Sequence, residues 1–385
     1  MDDYSRHVRF FNFMKPICTL YVKRKFNYKY ESLNHIDGPF LLLSNHNTDY
    51  DPLMLGAASD RHMYFVATEK ITRMGFLSKI VMYYLSPIIH YKGRIGISTV
   101  RDILKNLKNG VSIALFPEGN RSFNGVTCDF IPTIGKLAKR SGASLVTYRL
   151  HGGYLSSPRW GKGTRRGRIR GEIAHIYSPD ELKNMTEDEI NSAIKTDLYV
   201  DAYADQALAP IEYAGKKIAL GIESTLFRCP ECGGISTMKS AENTVACPCG
   251  CTLTYDHYGY LTDTRGKRFT VTDLDTLQRK AIEELSSTAS NQLLFSDSVT
   301  LQHIGAAHEV TSEENITLCA YADRLEAGSL VLPFHEISGM AINQRNLLIV
   351  HYGEDGHIEM TADLSFSALK YLYLFKATGN PNEEI

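Results

Sequence analysis

The sequence predicts an α/β protein: a domain built on a largely parallel sheet with flanking helices, then a small cysteine-rich module, then a small β-rich domain with a C-terminal helix. Three observations predict it. Short apolar runs of strand length alternate with stretches of helical periodicity through the first half of the chain. Five of the eight cysteines crowd into residues 229–251. Beyond residue 260 the pattern changes to period-two alternation that ends in one more helical stretch. The expected boundaries are 1–210, 211–260 and 261–385.

Residues 6–25 place Phe10, Phe13, Met14, Ile17, Leu20 and Tyr21 at helical spacing, with Lys15, Lys23, Arg24 and Lys25 adding positive charge. Such a helix, over residues 1–25, can lie in a membrane interface or pack on the domain that follows, with Pro16 as a kink. Four runs then read as buried strands: "PFLLLS" (39–44), "MYFVA" (63–67), "VSIALF" (111–116) and "SLVTYRL" (144–150). Helical patterns at 69–84, 98–109 and 133–141 separate them. Gly110 and Gly142 follow the last two, where a left-handed residue commonly ends a helix. Parallel sheets of this kind bind ligands beyond the carboxyl ends of their strands. The acidic stretch 179–206 is expected to be helical and to close the domain. Past 260, a helix is expected from Thr272, with Asp275 three positions on. Strands follow at "SVTLQHI", "NITLCAY", "SLVLPF", "GMAINQ", "NLLIVHY" and "HIEMTA", with a hairpin turn at "GEDG" (353–356). Several strands closed by one terminal helix resemble the pleckstrin-homology-like architecture.

Composition sets limits on function. The chain has 385 residues, 43% hydrophobic and 22% charged, which is room for two or three domains of ordinary globular texture. Lys plus Arg number 42 against 43 Asp plus Glu, so no global field marks a nucleic-acid binder. No apolar run reaches the ~18 residues of a spanning helix. The start, "MDDYSRHVRF", lacks the apolar core of a cleavable secretory signal. The expected location is the cytoplasmic face of a membrane.

Reactive side chains gather at the ends of three expected strands. In "SNHNTDYDPLM" (44–54), Asp51 stands five positions after His46 and directly before Pro52. Histidine titrates near neutrality and suits a general base. A carboxylate on its other ring nitrogen fixes the tautomer and steadies the imidazolium. Asp then Pro also reads as a helix N-cap followed by an N1 proline, so Asp51 is expected to cap a helix and hold His46 at once. In "FPEGNRS" (116–122), Arg121 can grip a phosphate bidentately, Gly119 lets backbone approach closely, and Glu118 can position a hydroxyl or orient Arg121. "HYKGR" (90–94) concentrates His90, Lys92 and Arg94. "TYRLHGGY" (147–154) opens a basic run of Arg149, Arg159, Lys162, Arg165, Arg166, Arg168 and Arg170, with Trp160 inside it and no acid until Glu172.

Taken together, these blocks resemble the glycerolipid acyltransferase family, which includes glycerol-3-phosphate and 1-acylglycerol-3-phosphate acyltransferases. The family's His-x4-Asp block is matched by His46 and Asp51. Its Phe-Pro-Glu-Gly-Thr-Arg-Ser block is matched by Phe116 through Ser122, with Asn120 the one departure. Its second block ends in an arginine after apolar residues; "HYKGR" matches loosely, with Lys92 or Arg94 in that place. Its fourth block carries a proline that "SLVTYRL" lacks. The resemblance spans roughly residues 1–210. It implies transfer of a fatty acyl group from acyl-CoA or acyl-acyl carrier protein to the hydroxyl of a lysophosphatidate-type acceptor at a membrane surface. His46 and Asp51 would be catalytic, and Glu118, Gly119, Arg121, Lys92 and Arg94 would bind substrate. No Gly-x-Ser-x-Gly elbow is present, which favours direct transfer over an acyl-enzyme. Backbone N–H groups near His46 or Gly119 are candidates for the oxyanion. The basic run is expected to face anionic headgroups or the phosphates of coenzyme A. The alternatives are glycerol 3-phosphate or another lysolipid as acceptor, and a non-catalytic lipid-binding protein on the same fold.

The cysteine module begins with Cys229-x2-Cys232 followed by glycines, and after fourteen residues continues with Cys247, Cys249 and Cys251. Two thiolate pairs on facing turns make a tetrahedral zinc site. Two of the last three cysteines must complete it; the Cys-Gly pair at 249–250 mirrors 232–233 and favours Cys247 with Cys249, and Cys251 competes. A four-thiolate zinc leaves no open position, so the metal is expected to be structural. Nucleic acid is not an expected partner. Cys18, Cys128 and Cys319 are isolated and expected to be buried.

Overall fold

The computed structural model describes residues 3–73, 75–90, 96–287, 289, 291–305, 309–354, 356–363 and 365–379. The chain divides into two compact units. One comprises Met1–Pro158 and Arg165–Ala214, the other Arg159–Thr164 and Gly215–Ile385.

The first unit runs α1 (Asp3–Phe26), β1 (Lys29–Tyr30), β2 (Phe40–Ser44), α2 (Asp51–Ala58), β3 (Met63–Thr68), α3 (Phe76–Tyr84), β4 (Ile88–His90), α4 (Ile97–Lys108), β5 (Ser112–Leu115), α5 (Ile134–Ser141), β6 (Ser144–His151), α6 (Gly153–Ser156), β7 (Arg170–Tyr177), α7 (Pro179–Asn184), α8 (Glu187–Leu198) and α9 (Ala202–Leu208). Its seven strands form one sheet in the order β1-β7-β6-β2-β5-β3-β4. The strands from β6 to β4 are mutually parallel, whereas β7 runs antiparallel to β6 and carries β1 alongside it. The sequence reading missed β7 because Arg, Glu and His interrupt its apolar positions, leaving a weak strand pattern at the tail of a basic run.

β2 is buried along its whole length because both faces of the sheet are covered. Phe40 and Leu42 point to one side, into a core with Val22 and Phe26 of α1 and Met54 and Leu55 of α2. Leu41 and Leu43 point to the other, among Ile103 and Leu107 of α4, Ile134 and Ala138 of α5, and Ile190 and Ile194 of α8. The acidic stretch is helical as expected, in three short helices. Ser178 with Glu181 and Thr186 with Glu189 form capping boxes, and the Asp201 carboxylate accepts from Tyr203 N and Ala204 N; each cap restarts a helix. α1 serves two surroundings. His7, Val22 and Phe26 are buried, whereas Phe13, Ile17, Leu20 and Tyr21 are exposed.

The second unit starts with five short strands, β8 (Lys239–Ala241), β9 (Thr244–Ala246), β10 (Thr252–Tyr255), β11 (Leu261–Asp263) and β12 (Arg268–Phe269), paired antiparallel in sequential order. Helix α10 (Val271–Ser286) follows. Strands β13 (Phe295–Ile304), β14 (Val310–Ala320), β15 (Arg324–Ala327), β16 (Leu330–Pro333), β17 (Ile337–Asn343), β18 (Leu347–Tyr352) and β19 (Gly356–Thr361) then make a curled antiparallel sheet in the order β16-β15-β14-β13-β19-β18-β17, and α11 (Ala368–Ala377) ends the described chain. α10 begins one residue before the expected start, because Thr270 and Asp273 form its capping box. Asp275 is instead fully buried, and accepts hydrogen bonds from Gln278, Arg279 and Tyr373 of α11. Residues 368–375 of α11 are all buried, which explains a helix apolar on every side. Its buried cation, Lys370, pairs with Asp297 of β13 at 2.6 Å and donates to Ser236.

Candidate active site and cysteine cluster

Two loops meet beyond the carboxyl ends of neighbouring parallel strands, β2 and β5, whose Leu43 and Leu115 lie side by side. His46 stands two residues past β2 and Glu118 three past β5. His46 Nδ1 lies 2.9 Å from Asp51 Oδ2. The imidazole stacks on Phe116, ring centres 4.2 Å apart and 18° from parallel. One nitrogen is thus held by a carboxylate, the ring plane is set by an aromatic face, and the side chain keeps 22% of its surface exposed.

Asp51 has no exposed side-chain surface. Its Oδ2 also accepts from Asn47 N (2.7 Å) and Thr48 N (2.9 Å), and its Oδ1 from the Thr48 hydroxyl (2.7 Å). This corrects the expected cap. Tyr50 is the N-cap of α2, without a side-chain bond, and Asp51 is the first helical residue. Its carboxylate turns back to the loop before the helix rather than forward to the helix's own N–H groups. Pro52 fits at the second helical position, where an amide hydrogen would have no intrahelical acceptor.

Glu118 joins the two loops. Its Oε1 accepts from His46 N and its Oε2 from Cys128 N, both at 2.6 Å. Ser122 N returns a 3.0 Å bond to His46 O. Burial pushes the Glu118 carboxyl up to about 8, with the two backbone donors pulling the other way. Arg121 Nη1 meets Asp49 Oδ2 at 3.1 Å, and its side chain is mostly buried while that of Asp49 is open to solvent. Gly119 is exposed with φ +62°, a conformation that favours glycine. The expected backbone oxyanion donors nearest His46 are engaged: His46 N binds Glu118, and Asn47 N and Thr48 N bind Asp51. Gly119 N likewise faces Phe116 O at 3.3 Å.

Asn45 and Asn47 carry a function the sequence reading missed. Asn45 exchanges two hydrogen bonds with the Leu150 backbone, at 2.9 and 2.7 Å, and Asn47 Nδ2 adds a third to Leu150 O. A side-chain amide has the donor and acceptor of a peptide group, so Asn45 continues the β2–β6 pairing past the end of the strand. The signal was present as asparagines on both sides of His46.

Lys92 and Arg94 lie outside the described residues. The basic run is not one solvated face. Lys162, Arg166, Arg168 and Arg170 are exposed, but Arg159, Trp160 and Arg165 are buried. His151 at the end of β6 is bound by Asp205 at 2.7 Å and Glu172 at 3.3 Å.

Residues 24–151 match the family model described as Acyltransferase. That matched segment holds both loops. Among solved structures, the 1-acyl-sn-glycerophosphate (LPA) acyltransferase PlsC from Thermotoga maritima is similar at 20% identity and a TM-score of 0.43, over 52% of this chain and 81% of that one. A search of curated proteins gives no match.

In the second unit, the sulfur atoms of Cys229, Cys232, Cys247 and Cys249 all lie within 4.8 Å of one another. The Cys229–Cys249 and Cys232–Cys247 pairs are 3.7 Å apart. Tetrahedral zinc with metal–sulfur bonds of ~2.3 Å sets its sulfurs roughly 3.8 Å apart, so the donor set fits that ion. Gly233 (φ +73°) and Gly250 (φ +102°) turn the two knuckles, their N–H groups donating to Cys229 O and Cys247 O at 3.0 Å. Cys251 is not in the group; it leads into β10, is buried, and accepts Cys247 N at its carbonyl. Cys18, Cys128 and Cys319 are only partly buried, a correction to the expected full burial.

Two outcomes follow from this geometry. A carboxyl that keeps its proton in the fold up to about pH 8, but loses it near 4.5 when unfolded, makes the folded state bind the extra proton between those values. Stability therefore falls as pH rises through that window and levels off above it. Urea unfolding from pH 4.5 to 8 is expected to show the wild type losing on the order of 4 kcal/mol more than Glu118→Gln; equal slopes would contradict the assignment. For the cluster, metal analysis is expected to find about one zinc per chain in wild type and Cys251→Ser but not in Cys249→Ser.

Proposed function

We propose that the protein is an O-acyltransferase that moves a fatty acyl group from an acyl thioester to the hydroxyl of a lysophosphatidate-type acceptor. The observation that carries the reading is the His46–Asp51 pair fixed beside the Glu118–Arg121 loop in a segment that matches the acyltransferase family. With Nδ1 donating to Asp51, neutral His46 presents an unprotonated Nε2 to the acceptor hydroxyl. Nε2 takes the hydroxyl proton as the oxygen attacks the thioester carbonyl, and Asp51 stabilises the imidazolium. The proton then passes to the departing thiolate. Arg121 receives the acceptor phosphate in exchange for Asp49, whose exposed carboxylate holds the guanidinium meanwhile. Acyl-CoA or acyl-acyl carrier protein is the donor; Lys92 and Arg94 remain proposed substrate contacts. Glycerol 3-phosphate, which has the same phosphate and hydroxyl, is the second acceptor to try.

The acceptor's two halves suggest where the unit sits. α1 exposes Phe13, Ile17, Leu20 and Tyr21 alongside Lys15, Lys23, Arg24 and Lys25, and α3 exposes Phe76, Ile80, Met82 and Tyr83. Phe10 stacks on Tyr84 at 4.6 Å and Arg6 lies over the Tyr83 ring at 3.9 Å, so the two helices form one face. None of the helices, among the described residues, is long and apolar enough to cross a bilayer. A cationic, aromatic-rich face of this kind suits the cytoplasmic surface of a membrane with anionic lipids. The cysteine cluster holds a structural zinc, which ties together strands too short to fold alone. The curled antiparallel sheet closed by one terminal helix supports the pleckstrin-homology-like reading of this region.

The test pairs acyl-CoA and acyl-acyl carrier protein with lysophosphatidate and glycerol 3-phosphate on purified protein with vesicles. His46→Ala is expected to lower kcat on the order of 10³-fold with the fold intact. Arg121→Ala is expected to raise the acceptor KM by about 10- to 100-fold with the donor KM little changed. Full activity in His46→Ala would end the mechanism.

A further inference from the structure

Arg6, Arg9, Phe10 and Phe13 recur at three- and four-residue steps, so they share one side of α1. Tyr83 and Tyr84 end α3. Between the two helices, within the first unit, these six residues line a hollow of about 380 Å³. Its walls are aromatic apart from the two arginines, and among the described residues no carboxylate lines it. Phe10 stacks on Tyr84 with ring centres 4.6 Å apart. Arg6 lies over the Tyr83 ring at 3.9 Å, its Nε donates to Tyr83 O at 3.1 Å, and Asp3 meets its Nη1 at 2.8 Å. The guanidinium plane is therefore set before a ligand arrives, and it offers more N–H groups than these contacts use. Asp3 is an exposed carboxylate that an entering anion can displace.

The chemistry of the walls selects a ligand. Two guanidiniums call for an anion, and phosphate is the anion whose oxygens match their fork. A small water-soluble phosphate would gain nothing from four aromatic rings. A zwitterionic headgroup would bring its own cation against the arginines. The volume is at the small end for a ligand site, with room for a phosphate and a glycerol but not for acyl chains. The chains have a path outside. Phe13 is exposed and begins a stripe that continues through Ile17 and Leu20 of α1, and Phe76 and Ile80 of α3 reach Tyr83 by the same helical steps.

We propose that this hollow is a headgroup site for one anionic glycerophospholipid. Arg6 and Arg9 bind its phosphate, the rings of Phe10, Phe13, Tyr83 and Tyr84 take its glycerol, and its chains follow the exposed stripe into the bilayer. The proposal rests on the membrane reading of this face and deepens it, from a diffuse attraction between charges to a single saturable site. It does not depend on acyl transfer.

The experiment uses the full chain as wild type, Arg6→Gln, Arg9→Gln and Arg24→Gln. Each is sedimented with vesicles of phosphatidylcholine, alone or with about 20 mol% phosphatidylglycerol. Arg24 is an exposed cation near the other end of α1, so its variant loses the same charge without touching the hollow. Arg6→Gln and Arg9→Gln are each expected to weaken binding to the anionic vesicles by about 10- to 100-fold, as loss of a charge-assisted phosphate contact does. Arg24→Gln is expected to weaken it by about fivefold or less. On phosphatidylcholine alone the four proteins are expected to agree within about twofold. Native mass spectrometry from a neutral detergent holding both lipids is expected to retain one phosphatidylglycerol on the wild type and on Arg24→Gln, and none on Arg9→Gln. Because Arg9 is exposed, its variant carries the test if Arg6→Gln loosens the contact with α3. Equal losses in Arg9→Gln and Arg24→Gln overturn the proposal, since charge alone then accounts for binding. Retention of inorganic phosphate in place of a lipid overturns it too. A wild type that binds neither vesicle contradicts the membrane reading as well, and no arm of the test needs turnover.

Discussion

The arrangement around His46 depends on the Asp51 carboxylate. Four hydrogen bonds reach it, from His46, two consecutive backbone amides and the Thr48 hydroxyl, in a place closed to water. A buried carboxylate without partners would cost several kcal/mol, so the loop 46–51 is bound to wrap it. The same bonds that satisfy the charge fix the loop, and the loop fixes the imidazole. Glu118 repeats the device one strand over, joining His46 N to Cys128 N and so tying the first loop to the second. Two buried acidic side chains, Asp51 and Glu118, thus do for the loops what the ladder does for the strands beneath them.

Those loops have their position because β2 and β5 are neighbours in a parallel sheet, which brings both carboxyl ends to one edge. The apolar runs of both strands are continuous because helices cover both faces of the sheet. In the second unit the curled sheet and α11 share a buried pair, Lys370 with Asp297, and Lys370 also donates to Ser236, close in sequence to Cys232. The cysteine module and the curled sheet are therefore joined in one unit by hydrogen bonds as well as by chain.

Much of this was legible in the sequence, and the gaps have physical causes. The buried strands showed because two covered faces demand unbroken apolar runs. His46 and Asp51 showed because their spacing recurs with "FPEGNRS" one strand away. The role of Asp51 as a helix cap was misjudged, since a carboxylate before proline is equally able to turn back to preceding amides, and spacing does not say which. β7 was hidden by charges on its exposed positions. Arg159 and Trp160 looked like members of a basic run facing anionic headgroups or the phosphates of coenzyme A; only tertiary packing reveals that the Arg159 guanidinium donates to buried carbonyls. Cys251 could not be set aside from spacing alone, because three cysteines in five residues offer alternative pairs, and only the chain's turn at Gly250 decides among them.

The central claim is that Asp51 fixes the tautomer and direction of the His46 ring. Nitrogen-resolved NMR of the histidine side chains tests it without substrate. In the neutral form His46 is expected to carry its proton on Nδ1, with a strongly downfield, slowly exchanging resonance that disappears in Asp51→Asn while the rest of the spectrum stays folded. A neutral His46 protonated on Nε2, or an Nδ1 proton indifferent to Asp51→Asn, would contradict the account.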